Sequence, residues 1–374
     1  MTIDTSRGHW GAVAAIAAGT FTVVTSEMLA VGLLTPIGRD LGVSDGTAGL
    51  TMTAPAITAA LAAPTLVVAT RRVDRRPLMA ALMLLLVAAN LLAALAPNFT
   101  VMVIARVLAG VSIGGFWAFA AALGMRLVPA AGAGRAASLI TGGVSVASVV
   151  GVPTGTLISS LASWRWAFGI MAVLALAVLV ALAALLPAVA PTTVMRLRGV
   201  WANPAARPVL FTTALLVIGH FAAYTYIRPF LERADAPVTL TLLVFGLAGV
   251  VGNFGAGALG SPRRVFAGIA LTIAVATALL PLIDAPILLV ALWGLVYGGV
   301  AVSCSMWILG AGGGEAGTAL LSSIFNAAIS AGAFIGGMVV DGVSVTAVMW
   351  LAAALALLSA AYAGMSGRST TNGS

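Results

Sequence analysis

The chain alternates long apolar runs with short polar, proline- or glycine-containing breaks. The runs fall at about 11–36, 47–69, 77–96, 100–124, 136–160, 166–187, 208–229, 238–259, 264–282, 286–309, 315–340 and 345–365. A helix that crosses the hydrocarbon of a bilayer needs about 20 apolar residues. Each run is long enough, so the pattern predicts twelve membrane-spanning helices. The narrowest breaks are "PLIDAP", between the ninth and tenth runs, and "GAGGGEAG", before the eleventh. One residue interrupts the first run: Glu27 stands in the middle of "FTVVTSEMLAVGLLTP". A carboxylate in hydrocarbon costs at least a few kcal/mol, on the order of 3, unless it is neutral or paired.

The pattern also repeats. The longest connection, "AVAPTTVMRLRGVWANPAARPV", separates the sixth run from the seventh. In each half a basic hinge joins the second and third runs, "TRRVDRRPLM" and "GSPRRVFAG". The fifth run of each half is rich in small residues, "GGVSVASVVGVPTGT" and "SAGAFIGGMVV". Matching features at matching ordinals predict two six-helix bundles, 1–187 and 208–374, joined by a cytoplasmic linker over 188–207, which is the footprint of a repeat-built transporter.

Composition sharpens this picture. Apolar residues make up 61% of the 374 residues and charged residues 7%, against about 25% charged in soluble domains. No polar block is long enough for a separate soluble domain. All 18 basic residues are arginine. With the N-terminus inside, thirteen fall in inner segments, four (Arg39, Arg165, Arg228, Arg233) in outer ones, and Arg106 within the fourth run. This bias predicts both termini in the cytoplasm. The basic balance is therefore topological, and nucleic acid is not an expected partner. The apolar stretch 11–35 exceeds a signal-peptide core and reads as a retained first span. A single cysteine, Cys304, excludes an intrachain disulfide and a Cys/His metal cluster. "GAGGGEAG" lacks the Lys-Ser/Thr of a phosphate loop. The acids are too scattered for an intramembrane transferase, which needs clustered metal-binding carboxylates or a nucleophile and base. No cofactor or metal is expected.

The remaining candidates lie in three motifs and one helix. In the first hinge stand Arg71, Arg72, Asp74, Arg75 and Arg76. The fourth run, "RVLAGVSIGGFWAF", carries Arg106 ahead of Gly110, Gly114 and Gly115. The fifth, "GVPTGTLISSLASW", carries Gly151, Pro153 and Gly155, in which proline removes a helix hydrogen bond and bends the chain. The seventh, "GHFAAYTYIRPFLE", places His220 and Tyr224 four residues apart on one face, with Tyr226 and Arg228 beyond. Asn90, Asn253 and Asn326 are polar residues within the third, eighth and eleventh runs, suited to hydrogen bonds between helices.

This layout resembles the major facilitator superfamily, and within it the twelve-span drug:proton antiporter group of bacterial sugar, nucleoside and drug exporters. The resemblance covers nearly the whole chain. It implies an all-α integral membrane protein of two pseudo-symmetric bundles that rock around a central cavity in proton-coupled transport, multi-pass in a bacterial inner membrane, working as a monomer and not as an enzyme. The hinge residues match the family's conformational latch at Arg75 and Arg76, but Arg71 stands where the family has Asp; Asp74 offers a displaced carboxylate, and a plain inner-face anchor is the other reading. Gly151, Pro153 and Gly155 match the antiporter motif in part, with Val152 where the motif has glycine directly before the proline. That favours efflux, with import as the alternative. The seventh span resembles the exporter branch, which implies substrate contact by His220 and Tyr224, joined by Asn253 and Asn326.

Helix arithmetic then pairs the two buried charges. If the first span ends near Pro36, Glu27 lies about 14 Å below that end, and Arg106 about 9 Å below the outer end of the fourth span. Two long side chains can bridge that difference of about 5 Å. A lone carboxyl in apolar surroundings favours its neutral form, and one beside a guanidinium its ionised form. Glu27 and Arg106 are therefore the expected proton-coupling pair, acting as a switch or standing as a fixed clasp. The substrate is a small organic molecule whose identity the sequence leaves open.

Overall fold

The computed structural model describes residues 8–190, 205–256, 260–312 and 314–365. The connection expected over 188–207 lies largely outside the described residues, as do Arg196 and Arg198. Among the described residues twelve helices are long and apolar enough to cross a membrane: α1 (Trp10–Leu41), α2 (Asp45–Ala69), α3 (Arg75–Ala94), α4 (Phe99–Arg126), α5 (Ala130–Leu161), α6 (Trp164–Leu185), α7 (Arg207–Thr225), α8 (Val238–Ala256), α9 (Pro262–Leu279), α10 (Pro286–Gly310), α11 (Leu320–Gly342) and α12 (Val345–Met365). Among the described residues there is no strand. Large apolar side chains such as Leu61, Val173, Phe254 and Leu288 point outward, as a protein solvated by lipid allows.

The helix ends follow local chemistry. Asp74, Asn98 and Ser163 cap α3, α4 and α6 by accepting from backbone N–H groups of the first turn, which satisfies donors the helix leaves open. The first helix departs from expectation. It does not stop near Pro36 but runs on to Leu41. The stop is Gly42, whose φ of 68° suits glycine, and Val43 N–H closes the motif on Gly38 O at 2.9 Å. The last turns survive the proline because Leu33, Leu34 and Ile37 are fully buried. Burying each such side chain contributes about 2 kcal/mol, enough together to outweigh the roughly 3 kcal/mol cost of an interior proline.

The fold divides into two units. The first comprises Met1–Val43 and Ala54–Val194, the second Ser44–Thr53 and Met195–Ser374. In the first unit α1 packs on α4, α5 and α6, while α3 packs on α4 and α6. In the second, six ordinals later, α7 packs on α10, α11 and α12, and α9 on α10 and α12. The axial helices are the same in each: α1 is buried over 78% of its most apolar window and α7 over 72%, more than any other span.

Glycines carry the repeat into atomic detail. A Cβ at Gly143 of α5 would lie 2.7 Å from Ala17 O and 3.3 Å from Phe21 N of α1. Gly332 of α11 meets Ile218 O and Ala222 N of α7 in the same way. Gly110 and Gly114 of α4 press on the backbone of Pro55 and Ala59 in α2, and Gly294 and Gly298 of α10 on that of Phe245 and Gly249 in α8. Small residues let backbones approach where no hydrophobic force separates helix from lipid.

Candidate functional site

In the first unit, two apolar clusters fill the bundle. One holds α1 up to Val23, α3 up to Ala89 and α4 from Ala109 onward. The other holds α1 from Leu29, α3 from Ala93 and α4 up to Ala105. The polar residues Ser26, Glu27, Asn90 and Arg106 occupy the layer between them, each at most 5% exposed. Apolar plugs on both sides keep this layer from bulk water, so its groups must satisfy one another.

They do so across four helices. Arg106 Nη1 donates to Ser26 O at 3.1 Å, and its guanidinium lies 5.8 Å from the centre of the Phe168 ring on α6. Ser26 Oγ donates to Asn90 Oδ1 at 2.9 Å, and Asn90 Nδ2 donates to Leu86 O at 3.0 Å. Glu27 and Arg106 are close enough for each to act on the other's charge. Measured along the helices, Glu27 is about 21 Å from the end of α1 and Arg106 about 10 Å from the start of α4. Helix ends therefore gave the wrong depth scale, because α1 overshoots Pro36 by more than a turn.

The hinge residues serve the first unit's own helix ends. Asp74 Oδ1 accepts from Arg76 N at 2.8 Å as the cap of α3. Arg75 is buried, donates to Thr70 O and Oγ1 at 3.2 Å and lies over the Phe119 ring. Arg76 Nη2 donates to Ala183 O near the C-terminus of α6. Arg71 and Arg72 are exposed. In the second unit Arg263 donates to Ala363 O at 3.3 Å, near the C-terminus of α12. An arginine at a helix C-terminus both satisfies carbonyls and complements the helix dipole.

Gly151 and Gly155 of the kink motif face Thr25, Met28 and Leu29 of α1, so the motif backs the turn that bears Glu27. Pro153 lies inside α5, whose ladder continues past it. From the other side Gly32 of α1 meets Val152 O at 2.7 Å from its would-be Cβ.

The second unit gathers aromatic rings instead of charges. Trp293 Nε1 donates to His220 Nδ1 at 3.0 Å, which fixes the tautomer with the proton on Nε2. Tyr297 stacks on His220 with ring centres 3.3 Å apart, and Phe245 stacks on Tyr224 at 4.7 Å. Thr213 Oγ1 and Cys304 Sγ lie 3.2 Å apart below them. His220 and Tyr224 thus do share one face, as their spacing predicts. Phe245, Trp293 and Tyr297, from α8 and α10, are the partners the sequence reading missed. The run "LWGLVYGG", with an aromatic beside each of Gly294 and Gly298, is the signal that marks them. Asn326 Nδ2 donates back to Ser322 O of its own helix at 2.9 Å, and Asn253 is half-buried on α8; neither is drawn into the aromatic contacts described here. Among the described residues no group of three or more His, Cys, Asp or Glu side chains could hold a metal.

Comparison with known proteins places this architecture. The chain is 33% identical over 373 residues to the transcription regulatory protein OpdE of Pseudomonas aeruginosa, covering 94% of this chain and 92% of that one. It is 32% identical over 372 residues to the purine ribonucleoside efflux pump NepI of Salmonella typhimurium, covering 95% and 93%. The crystal structure of the human organic anion transporter MFSD10 (TETRAN) superposes with a TM-score of 0.69 over 95% of this chain and 99% of that one; at 16% identity this likeness concerns the fold. The Major Facilitator Superfamily model matches residues 16–320, and the chain belongs to that superfamily of membrane transporters.

Proposed function

We propose that the protein exports a small organic molecule in exchange for protons. Glu27 carries the proton and Arg106 answers its charge. The observation that carries this reading is the sealed polar layer of the first unit: among the described residues Glu27 is the only buried acid, and it stands beside a buried guanidinium. A carboxyl so placed is neutral when alone and ionised when the guanidinium approaches, so a change in their separation loads or releases one proton. The substrate is a planar ring compound. Purine ribonucleosides are the first candidates, supported by the likeness to a pump named for them and by the ring wall of His220, Tyr224, Phe245, Trp293 and Tyr297. Base stacking on aromatic side chains suits any purine face.

In this reading the chain works as a monomer in the bacterial inner membrane, with both termini in the cytoplasm. The bundles 1–187 and 208–374 are its moving bodies, and Arg71, Arg72, Asp74, Arg75 and Arg76 form the hinge that steadies one access state. Everted vesicles with an acid lumen test the proposal. Labelled inosine or adenosine accumulates with the wild-type protein, and Glu27→Gln stops gradient-driven accumulation. Wild-type rates in Glu27→Gln refute the coupling role. Accumulation in right-side-out vesicles, and none in everted ones, refutes export in favour of import.

A further inference from the structure

The second unit also carries a cavity of about 700 Å³, lined by α7, α11 and the end of α12. On α7 it uses Arg207, Phe211, Ala214 and Ile218. Their spacing of four, three and four residues sets them on one stripe. Thr213 and His220 meet Cys304, Trp293 and Tyr297 of α10. They leave α7 roughly 130–150° around the helix from that stripe. The cavity is therefore separate from the ring wall. On α11 its lining includes Ala327 and Ala331. The polar residues of that stretch, Ser322 and Asn326, lie roughly 150–170° away around the helix.

The cavity opens on a surface suited to hydrocarbon. Phe211 and Leu358, one turn before Tyr362, are each more than half exposed, at 51% and 57%. Polarity is confined to one end. Arg207 begins α7 and Tyr362 lies in the last turn of α12, and the Phe211 and Tyr362 rings meet with centres 5.0 Å apart. Tyrosine and arginine at helix ends mark the level where hydrocarbon meets headgroups. From Arg207 to Ile218 the helix rises about 16 Å, which is half of a hydrocarbon core of roughly 30 Å. The cavity thus runs from headgroup level to the midplane, the depth of one leaflet. The described charged side chains at this end of the second unit, Arg207, Arg263 and Arg264, are all basic, and Arg207 is exposed.

We propose that this cavity is a binding site for an anionic phospholipid. Its phosphate sits against Arg207 and the Tyr362 hydroxyl. An acyl chain lies along Phe211, Ala214 and Ile218, in the room that Ala327 and Ala331 leave open. A soluble anion gains nothing from the apolar length, and a neutral lipid gains nothing from the net charge of the arginine. The site does not depend on which substrate or ion the protein carries, and its test measures neither.

The test uses the purified full-length protein, stripped of lipid in dodecyl maltoside. It is titrated in native mass spectrometry with dioleoylphosphatidylglycerol, dioleoylphosphatidylcholine or inorganic phosphate. Phosphatidylglycerol binds about fivefold more tightly than phosphatidylcholine, the gain expected of one arginine beside an anionic headgroup. Arg207→Gln abolishes that preference and leaves phosphatidylcholine binding as it was. Arg264→Gln removes an exposed charge that does not line the cavity, and the preference survives. Ala327→Phe puts a ring into the cavity and weakens binding of both lipids. Melting temperatures without lipid select folded variants, and if Ala327→Phe does not fold, Ala214→Leu takes its place. Equal binding of the two lipids by the wild-type protein overturns the proposal. Equal loss of preference in Arg207→Gln and Arg264→Gln also overturns it, by reducing the effect to general surface charge. Inorganic phosphate that binds as tightly as the lipid overturns it in favour of a soluble anion, and a dimer that Ala327→Phe abolishes overturns it in favour of a second copy of the chain.

Discussion

Replacing Gly294 by alanine tests whether the helix contacts hold the ring wall in place. A Cβ there would sit 2.9 Å from both the carbonyl carbon and the Cα of Phe245, and nearer still to its oxygen. Ordinary contact begins near 3.4 Å, so α10 must move from α8 by at least about 0.5 Å. The obstruction is backbone on a packed helix and has no rotamer to adopt. Overpacking of this kind costs about 1–3 kcal/mol, while exchanging glycine for alanine in a helix returns about 1 kcal/mol. The net loss is about 0–2 kcal/mol, or a fall of up to roughly 8 °C in melting temperature at about 2–4 °C per kcal/mol. Gly268 of α9 supplies the control, because nothing lies within 4 Å of its would-be Cβ. Gly268→Ala keeps the propensity gain without the clash and melts at or above the wild-type temperature. The same displacement moves Trp293 relative to Phe245, whose ring centres are now 5.7 Å apart, so ligand binding weakens in Gly294→Ala and not in Gly268→Ala. Both are read in detergent by intrinsic fluorescence during heating, with and without inosine. Equal melting temperatures for the two variants would refute the argument that backbone contact at Gly294 positions the rings.

Two further substitutions probe single hydrogen bonds. Trp293→Phe keeps a ring but removes the donor to His220 Nδ1; leaving a buried imidazole nitrogen unsatisfied costs about 1–3 kcal/mol, seen as a lower melting temperature and weaker inosine binding, while Tyr224→Phe leaves the Trp293–His220 bond in place and changes stability less. Arg76→Gln and Arg263→Gln remove the arginines that serve the ends of α6 and α12. Each loses about 0.3–1 kcal/mol of helix-end stabilisation, and hydrogen exchange quickens in the last turn of α6 for the first and of α12 for the second.

The span count and the internal repeat were legible because both are local or periodic properties. Twenty apolar residues between breaks make a span whatever the neighbours do, and a basic hinge at the same ordinal in each half survives any repacking. The polar layer was half legible. Glu27 and Arg106 stand out because charge in an apolar run has no cheap alternative to a partner; Asn90 announces a hydrogen bond between helices but not its partner, and Ser26 is a small polar residue of a kind that many spans carry. What joins them is a register among α1, α3 and α4, which no single run encodes. The end of α1 was misread because proline is a strong local breaker, and its effect was overridden by burial of residues on either side. The ring wall was least legible. His220 and Tyr224 announce one face by their spacing, but their partners arrive from two later helices whose approach depends on glycines meeting backbone.

The repeat also shows where the two halves have parted. The matched glycine contacts set Ala17 and Phe21 of α1 against Ile218 and Ala222 of α7. Carried forward at the same spacing, Glu27 falls opposite Arg228. In the second half the axial helix breaks just there: α7 ends at Thr225, and Arg228 pairs with Glu232 at 2.8 Å within the short helix Ile227–Arg233. The contacts of Gly110 and Gly294 likewise set Arg106 opposite Val290, which is fully buried and apolar. The second unit therefore retains neither member of the buried pair, and at the level of α7 and α10 it holds rings and hydroxyls in their place. Among the described residues the buried carboxylate–guanidinium layer thus belongs to the first unit and the stacked rings to the second. Moving Glu27 to its counterpart, as Glu27→Gln with Arg228→Glu, should consequently fail to restore gradient-driven accumulation, because Val290 offers no guanidinium to ionise the transplanted carboxyl.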